Sequence, residues 1–175
     1  STGDLVFTAH WEQSRYTINT TVENGSASAN EVVTVTHGDS LTISFTANSG
    51  FALDSVTVDG KTASLTNGKY TFDKITEHHS IHVVYSADNN QDGKPDKYQA
   101  TVTYNVVNGS LAAGVKSEYV FNLKTYNDGL WVPAEPRLGD TLPTVANGSL
   151  LAAEGYDGSG YWWENISADT PVTDD

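Results

Sequence analysis

YTINTTVENGS (residues 16–26) returns as YQATVTYNVVNGS (residues 98–110). Both run from a Tyr through alternating Thr and Val into Asn-Gly-Ser, and the two Asn-Gly pairs lie 84 positions apart. Alternation of apolar and polar residues is the mark of a strand with one buried face, because successive side chains point to opposite sides of a sheet. Tyr16, Ile18, Thr20 and Val22 share one face; Ala100, Val102, Tyr104 and Val106 share the corresponding face of the second copy. A repeat spaced this widely predicts two modules in series, not a stacked solenoid.

The same period runs through the rest of the chain. In LTISFTA (41–47), Leu41, Ile43, Phe45 and Ala47 face inward and Thr42, Ser44 and Thr46 outward. In LVFTAHW (5–11), Leu5, Phe7, Ala9 and Trp11 line one side. Asn24-Gly25, Asp59-Gly60, Asn67-Gly68, Asn108-Gly109, Asp128-Gly129 and Asn147-Gly148 favour positive φ and tight reversals. No amphipathic helix of three turns is legible, although Ala and Leu gather in 111–118 and 148–154, where short helical pieces are expected. The fold class is therefore mainly β: two small modules in tandem, β-grasp-like or small sandwiches. The boundaries are a terminal strand plus connection over 1–14, a module over 15–86, a linker over 87–97 and a second module over 98–175.

Composition narrows the function. Nine Lys and Arg against 22 Asp and Glu give a formal charge of −13, which repels phosphate backbones and anionic lipid surfaces. Nucleic acid and membrane insertion are not expected. The absence of Cys leaves packing, or metal held by oxygen, as the sources of stability. No Gly-x-Ser-x-Gly elbow, His-Glu-x-x-His motif or phosphate loop is present, so no catalytic residues are assigned and no enzyme is expected.

Two further clusters carry chemistry. DNNQDGKPDKYQ (88–99) matches the oxygen-donor spacing of a calcium loop. Asp88, Asn90 and Asp92 alternate donors, Gly93 allows the sharp turn, Lys94 offers its carbonyl, and Asp96 stands at the ninth position. Gln99 replaces the bidentate Glu that closes stronger loops, which lowers ligand charge and affinity. Pro95 biases Lys94 toward extended backbone, away from a following helix. Ca²⁺ is thus the expected cofactor, set against the alternative of a solvated polar linker. The second cluster is aromatic: Trp131, Tyr161, Trp162 and Trp163, with Tyr156 nearby, form a candidate ligand face, since aromatic rings stack on sugars and anchor interfaces. A third cluster, Glu77-His78-His79-Ser80-Ile81-His82, invites a zinc site but offers no third and fourth ligand, and is read as surface or packing histidines.

HGDSLTISFTANSGFALDSVTVDG followed by KYTFDKITEHHSIHVVYS resembles the divergent B-repeat of internalin-type surface proteins. The features that match are Gly50-Phe51, Ser55-Val56-Thr57-Val58-Asp59-Gly60, Tyr70-Thr71-Phe72 and His79-Ser80-Ile81. The resemblance covers 15–86 and extends more loosely over 98–175, where GYDGSGYWWENISADTPVTDD is similar to the ending of such a repeat. GDLVFTAHW (3–11) resembles the strand that follows such an ending, so the sequence is expected to run across a module boundary. The resemblance implies a non-catalytic extracellular module of a Gram-positive bacterial cell-surface adhesin, wall-attached and flanked by further modules of the same long chain. Its partner would be a host glycan or a host protein, immunoglobulin for example; the rival is a glycan-binding accessory region of a secreted carbohydrate-active enzyme. Residues 4–11 are expected to pair within a sheet, either beside the adjacent module, which chain proximity favours, or as the closing strand of the C-terminal module in the same or a neighbouring copy.

Overall fold

The computed structural model describes residue 3, residues 5–135 and residues 150–156. The first module begins with β1 (Arg15–Glu23), β2 (Gly25–Ala27), β3 (Val32–Thr36) and β4 (Leu41–Ala47). It continues with β5 (Phe51–Val58), β6 (Lys61–Thr62), β7 (Lys69–Phe72) and β8 (His79–Ala87). These make a five-stranded sheet in the order β3-β1-β8-β5-β6, covered by a three-stranded sheet β2-β4-β7. At the centre of the larger sheet, β1 and β8 are parallel, with Ile18 opposite His79 and Glu23 opposite Val84. Every other pairing is antiparallel. The module is mainly β, as expected: two facing sheets, the larger with a parallel pair at its centre.

The period-two reading places the core correctly. Ile18 of β1, Ile43 and Phe45 of β4, Val56 of β5, Phe72 of β7, and Ile81, Val83 and Tyr85 of β8 are buried between the two sheets, with Ile75 from the loop before β8. Leu41 and Ala47 are half-buried at its margin. Burying each large aliphatic side chain contributes about 1.5–3 kcal/mol, and the centre of the core joins the first strand of the module to its last.

Among the described residues the second module repeats two ladders of the first. It contains β9 (Gln99–Thr103), β10 (Gly109–Leu111), β11 (Glu118–Asn122), β12 (Lys124–Asn127), β13 (Leu130–Pro133) and β14 (Leu150–Ala152). β9 pairs with β11 as β1 pairs with β3, and β10 pairs with β14 as β2 pairs with β4. The register is the same. The Thr20 amide donates to the Glu31 carbonyl at 2.7 Å, and the Tyr104 amide to that of Ser117 at 2.7 Å. His37 donates to Ser14 and Leu123 to Tyr98, both at 2.8 Å; Asn48 donates to Asn24 and Ala153 to Asn108, both at 2.9 Å. Even the turn after β4 recurs, with Phe51 donating to Asn48 and Tyr156 to Ala153 at 3.2 and 3.1 Å. The β12–β13 hairpin lies between β11 and β14 and has no counterpart between β3 and β4.

Two glycines explain why the Asn-Gly pair recurs. Asn24 and Asn108 adopt φ of 55° and 56°, while their glycines are required for a different reason. A Cβ at Gly25 would stand 2.6 Å from the Thr46 carbonyl oxygen and 2.7 Å from the Tyr85 ring, and one at Gly109 would stand 2.4 Å from the Leu151 carbonyl oxygen. Backbone crosses backbone there, and only hydrogen fits.

Two expectations are corrected. Residues 111–118 and 150–154 carry no helix: Gly109–Leu111, Glu118–Asn122 and Leu150–Ala152 are strands, because Ala and Leu there serve sheet pairing that local propensity does not register. Nor does the N-terminal segment pair with the adjacent module. Residues 5–14 are not in a strand, and Leu5, Phe7 and Trp11 are 84, 90 and 94 % exposed. The chain that leads into β1 keeps only local bonds to the module, from the His37 amide to the Ser14 carbonyl and from Gln13 Nε2 to the His37 carbonyl.

Gly25→Ala and Gly109→Ala should each destabilise by about 1–3 kcal/mol through overpacking. Denaturant unfolding followed by residue-resolved amide signals should show the first loosening residues 15–86 and the second residues 98–135. A variant that leaves its own module's midpoint unmoved would contradict the backbone crossing.

Candidate functional site

The acidic loop leaves β8 with its first donor already fixed. Asp88 is 4 % exposed, and its amide donates to the Gly50 carbonyl at 2.8 Å, which ties the loop to the turn before β5. The Asp88 carboxylate points back into the loop: Oδ1 accepts from the Asp92 amide at 3.1 Å and Oδ2 from the Gly93 amide at 2.9 Å. Asn90 Oδ1 accepts from the same Asp92 amide at 3.2 Å. Asp92 Oδ1 accepts from the Lys94 amide at 3.0 Å. Positive φ at Gln91 (57°) and Gly93 (85°) turns the chain twice so that alternate side chains fold onto this backbone. Pro95 is fully buried, and Asp96–Tyr98 form a single 3-10 turn before β9, so no longer helix follows the loop.

Three of the five expected metal positions, Asp88, Asn90 and Asp92, are therefore gathered on one short stretch of amides. The Asp96 carboxylate faces elsewhere, accepting from the Asn89 amide at 3.1 and 3.2 Å and from the Asn89 side chain at 2.5 Å. Among the described residues no three Asp, Glu or His side chains converge as a metal site by themselves. Gln99 at the loop's last position takes both roles of an amide: its Nε2 donates to Asp92 Oδ2 at 2.5 Å and its Oε1 accepts from Asn90 Nδ2 at 3.1 Å. The loop's side-chain donors are all hard oxygens, the kind that Ca²⁺ prefers.

Beside the loop lies a joint that the sequence reading missed. β5 carries a bulge between Leu53 and Ser55, and Asp54 in that bulge is buried. Four side chains converge on it. Lys97 Nζ donates to Oδ2 at 2.5 Å, Ser86 Oγ to Oδ2 at 2.7 Å, and Tyr98 Oη to Oδ1 at 2.7 Å. Trp131 Nε1 donates to the Asp54 carbonyl at 2.9 Å. The Trp131 ring stacks on Tyr98 at 4.7 Å and leans on Tyr126 at 5.4 Å, while Lys124 Nζ stands 5.1 Å over the Tyr98 ring. At the hairpin tip, a Cβ on Gly129 would come within 2.5 Å of the Ala63 carbonyl oxygen. Lys97, Tyr98 and the β12–β13 hairpin belong to the far side of the linker; Asp54, Ser86 and Ala63 belong to the first module. One buried carboxylate fastens the two together.

Burial alone pushes the Asp54 carboxyl up, but hydrogen bonds from Lys97, Ser86 and Tyr98 and the Lys97 charge outweigh it and hold the group below its usual range. Burial pushes Lys97 down, and the bond and charge of Asp54 outweigh that and raise it. Burial, then the Asp54 bond, raises Tyr98.

The remaining expected site residues fall as follows. Trp131, expected as part of a ligand face, is half-buried and held in the joint by its indole nitrogen and by ring contacts, a correction that follows from the inward-facing acid it meets. Tyr161, Trp162 and Trp163 lie outside the described residues. Tyr156 is exposed. The histidines form separate contacts. His78 Nδ1 accepts from the Thr17 amide at 2.9 Å, His79 meets Asp59 at 2.7 Å and stacks on Phe72 at 5.1 Å, and His82 meets Glu23 at 2.8 Å. Asp54 and Asp59, which could be written as an acid pair, have separate structural partners. An open cleft of about 520 Å³ on the smaller sheet of the first module is lined by Thr42, Thr66, Asn67, Lys69 and Tyr70 among others. No helix among the described residues is long and apolar enough to cross a membrane. No family model, curated protein or solved structure matches the chain.

The joint has a defined pH range. Asp54 titrates lower when folded than its unfolded value of about 3.9, so its contribution is complete above that value and is lost as pH falls through the lower folded one. Lys97 behaves oppositely: its contribution is complete below about 10.4 and is lost as pH rises through its raised value. The Trp131 indole N–H resonance, which reports its bond to the Asp54 carbonyl, should be constant across neutral pH and shift in acid below the usual carboxylate range. Asp54→Asn should shift it at pH 7 and cost about 1–3 kcal/mol; an indole signal indifferent to both would refute the joint.

Proposed function

We propose that the chain is a non-catalytic tandem segment of a bacterial cell-surface adhesin, related to the internalin-type B-repeat, that spaces and presents a binding surface for a host ligand. The observation that carries this reading is the junction: two β modules of one design, joined by an oxygen-rich loop and fastened by a buried carboxylate. Such a construction suits a module that transmits position along a chain. A net charge of −13 fits an extracellular setting rich in divalent cations.

In this reading Ca²⁺ is held by Asp88, Asn90, Asp92 and Asp96 with the Lys94 carbonyl. Bound there, it would offset two of the three negative charges of Asp88, Asp92 and Asp96. The chain's own part is to present Asp88 in a fixed orientation, through the Asp92 and Gly93 amides, and to close the loop with Gln99. Because an uncharged amide replaces a bidentate carboxylate, affinity falls in the weak extracellular range, Kd about 10⁻⁴–10⁻³ M. The ligand itself is a host glycan or a host protein such as immunoglobulin. The glycan-binding accessory region of a carbohydrate-active enzyme is the second reading, supported by the hydroxyl-rich cleft beside Tyr70.

Calorimetry at millimolar calcium should give a saturable heat that Asp88→Asn with Asp92→Asn abolishes, with both modules still folded. Chelation should then increase the spread of inter-module orientations, measured by small-angle scattering, without unfolding either module. No heat, and no change in loop amide signals on adding calcium, would remove the metal from this account. A glycan array and a serum-protein pull-down separate the two classes of ligand, and turnover on a broad glycan and ester panel that is lost with a single carboxylate would contradict the non-catalytic reading.

A further inference from the structure

The open cleft on the smaller sheet of the first module keeps polar side chains that the rest of the fold does not use. Several others in this module are engaged within the protein: His79 by Asp59, His82 by Glu23, Ser40 by Asp73 and Ser28 by the Ser44 amide. In the cleft, Thr42 and Thr71 bond each other at 2.8 Å. The polar ends of Ser64, Thr66, Asn67, Lys69 and Tyr70 have no hydrogen bond or ion pair among the described residues.

The walls that carry these groups are fixed. Asn67 and Gly68 turn with φ of 51° and 71°, and the Thr66 and Lys69 amides each donate to the other's carbonyl, at 2.9 and 3.0 Å. The Phe45 amide donates to the Gly68 carbonyl at 2.8 Å and pins the turn to β4. Tyr70 meets the buried Phe72 edge-on, with 4.9 Å between ring centroids. Groups held in this way lose little freedom on meeting a ligand. The volume, about 520 Å³, is that of a small-molecule site. Charge narrows the ligand further. The chain carries 22 Asp and Glu, yet the lining of the cleft contains no acid and a single cation, Lys69.

We propose that this cleft binds a saccharide bearing a carboxylate, a uronic or sialic acid residue, an assignment that rests on the reading of a host glycan as the ligand. The carboxylate meets the Lys69 ammonium. Ring hydroxyls exchange hydrogen bonds with Ser64, Thr66 and Asn67, whose side chains both donate and accept. The apolar face of the sugar lies on Tyr70. A cationic ligand would meet Lys69 with like charge, and an apolar one would leave these polar groups unbonded. The acids elsewhere on the chain do not reverse this preference, because physiological salt screens exposed charges beyond about 8 Å.

Amide chemical shifts of the full chain, titrated with glucuronate and sialate oligosaccharides and with the same oligosaccharides methyl-esterified, test this. A chelator keeps calcium, and with it the acidic loop, out of the measurement. Saturable shifts should centre on residues 64–71 and on Thr42, and the arm that saturates first names the sugar. Esterification should weaken binding about fivefold, the worth of one exposed ion pair. Lys69→Gln, at an exposed and unpaired side chain, should abolish the difference between acid and ester. Asn67→Gly, which keeps the positive φ of the turn, should weaken both. Equal affinity for acid and ester overturns the assignment, as do shifts centred outside the cleft. On a glycan array, binding that Lys69→Gln and Asn67→Gly leave unchanged removes the cleft and retains the host-glycan reading, whereas an array with no bound glycan removes both.

Discussion

The parallel ladder between β1 and β8 is the constraint on which the first module rests. Its partners begin some sixty residues apart, from Ile18 opposite His79 to Glu23 opposite Val84, so the loop between them must close before any rung can form. Once closed, it places Ile18, Ile81 and Val83 side by side at the floor of the core, onto which Ile43, Phe45 and Phe72 pack from the smaller sheet. It also fixes where β8 ends, and with it the start of the acidic loop: Asp88 follows the last residue of β8 and is buried because the sheet carries it there.

The junction shows two uses of carboxylates in close succession. Asp54 is inward-facing and satisfied by three side-chain donors, so its charge is spent on holding Lys97, Tyr98 and Ser86 in fixed positions. A buried charge of this kind is costly unless every lone pair finds a donor, and here the donors come from both sides of the linker. The loop acids differ. Asp92 is exposed and Asp96 half-buried, their oxygens bonded to amides that leave further lone-pair directions open. The first arrangement is closed on itself; the second keeps its oxygens at the surface.

Much of this was legible in the sequence because alternation maps directly onto faces. Ile43 and Phe45, or Val102 and Tyr104, needed nothing beyond the period of a strand. The repeat of YTINTTVENGS in YQATVTYNVVNGS signalled two modules, and the hydrogen bonds bear this out rung by rung. Pairing was not legible, since period two says which side is buried and nothing about which strand lies next. Residues 5–11 alternate well yet have no partner in their own module, and Ala and Leu at 111–118 and 150–154 yield to sheet contacts. Trp131 resembled a ligand platform because composition cannot distinguish a ring that meets solvent from one that meets Asp54. A signal for the joint did exist: in FALDSVTV the acid falls in register with Ala52 and Val56, on the inward side of a strand, where it requires partners. Within the loop, donor spacing identified Asp88, Asn90 and Asp92 as a group, while the turning of Asp96 toward Asn89 depends on side-chain rotation that spacing does not encode.

The β12–β13 hairpin has no equivalent in the first module, and it is the element that brings Trp131 and Gly129 against that module. Stiffness along a string of such modules would then be a property of individual joints. A successor bearing the hairpin adds Trp131 and the Gly129 tip to the grip of Lys97 and Tyr98, and a successor built like the first module would lack that addition. Bending would concentrate at joints without the hairpin, so that the contour of a long array, how far it reaches and where it folds back under tension, would be written in which modules carry it.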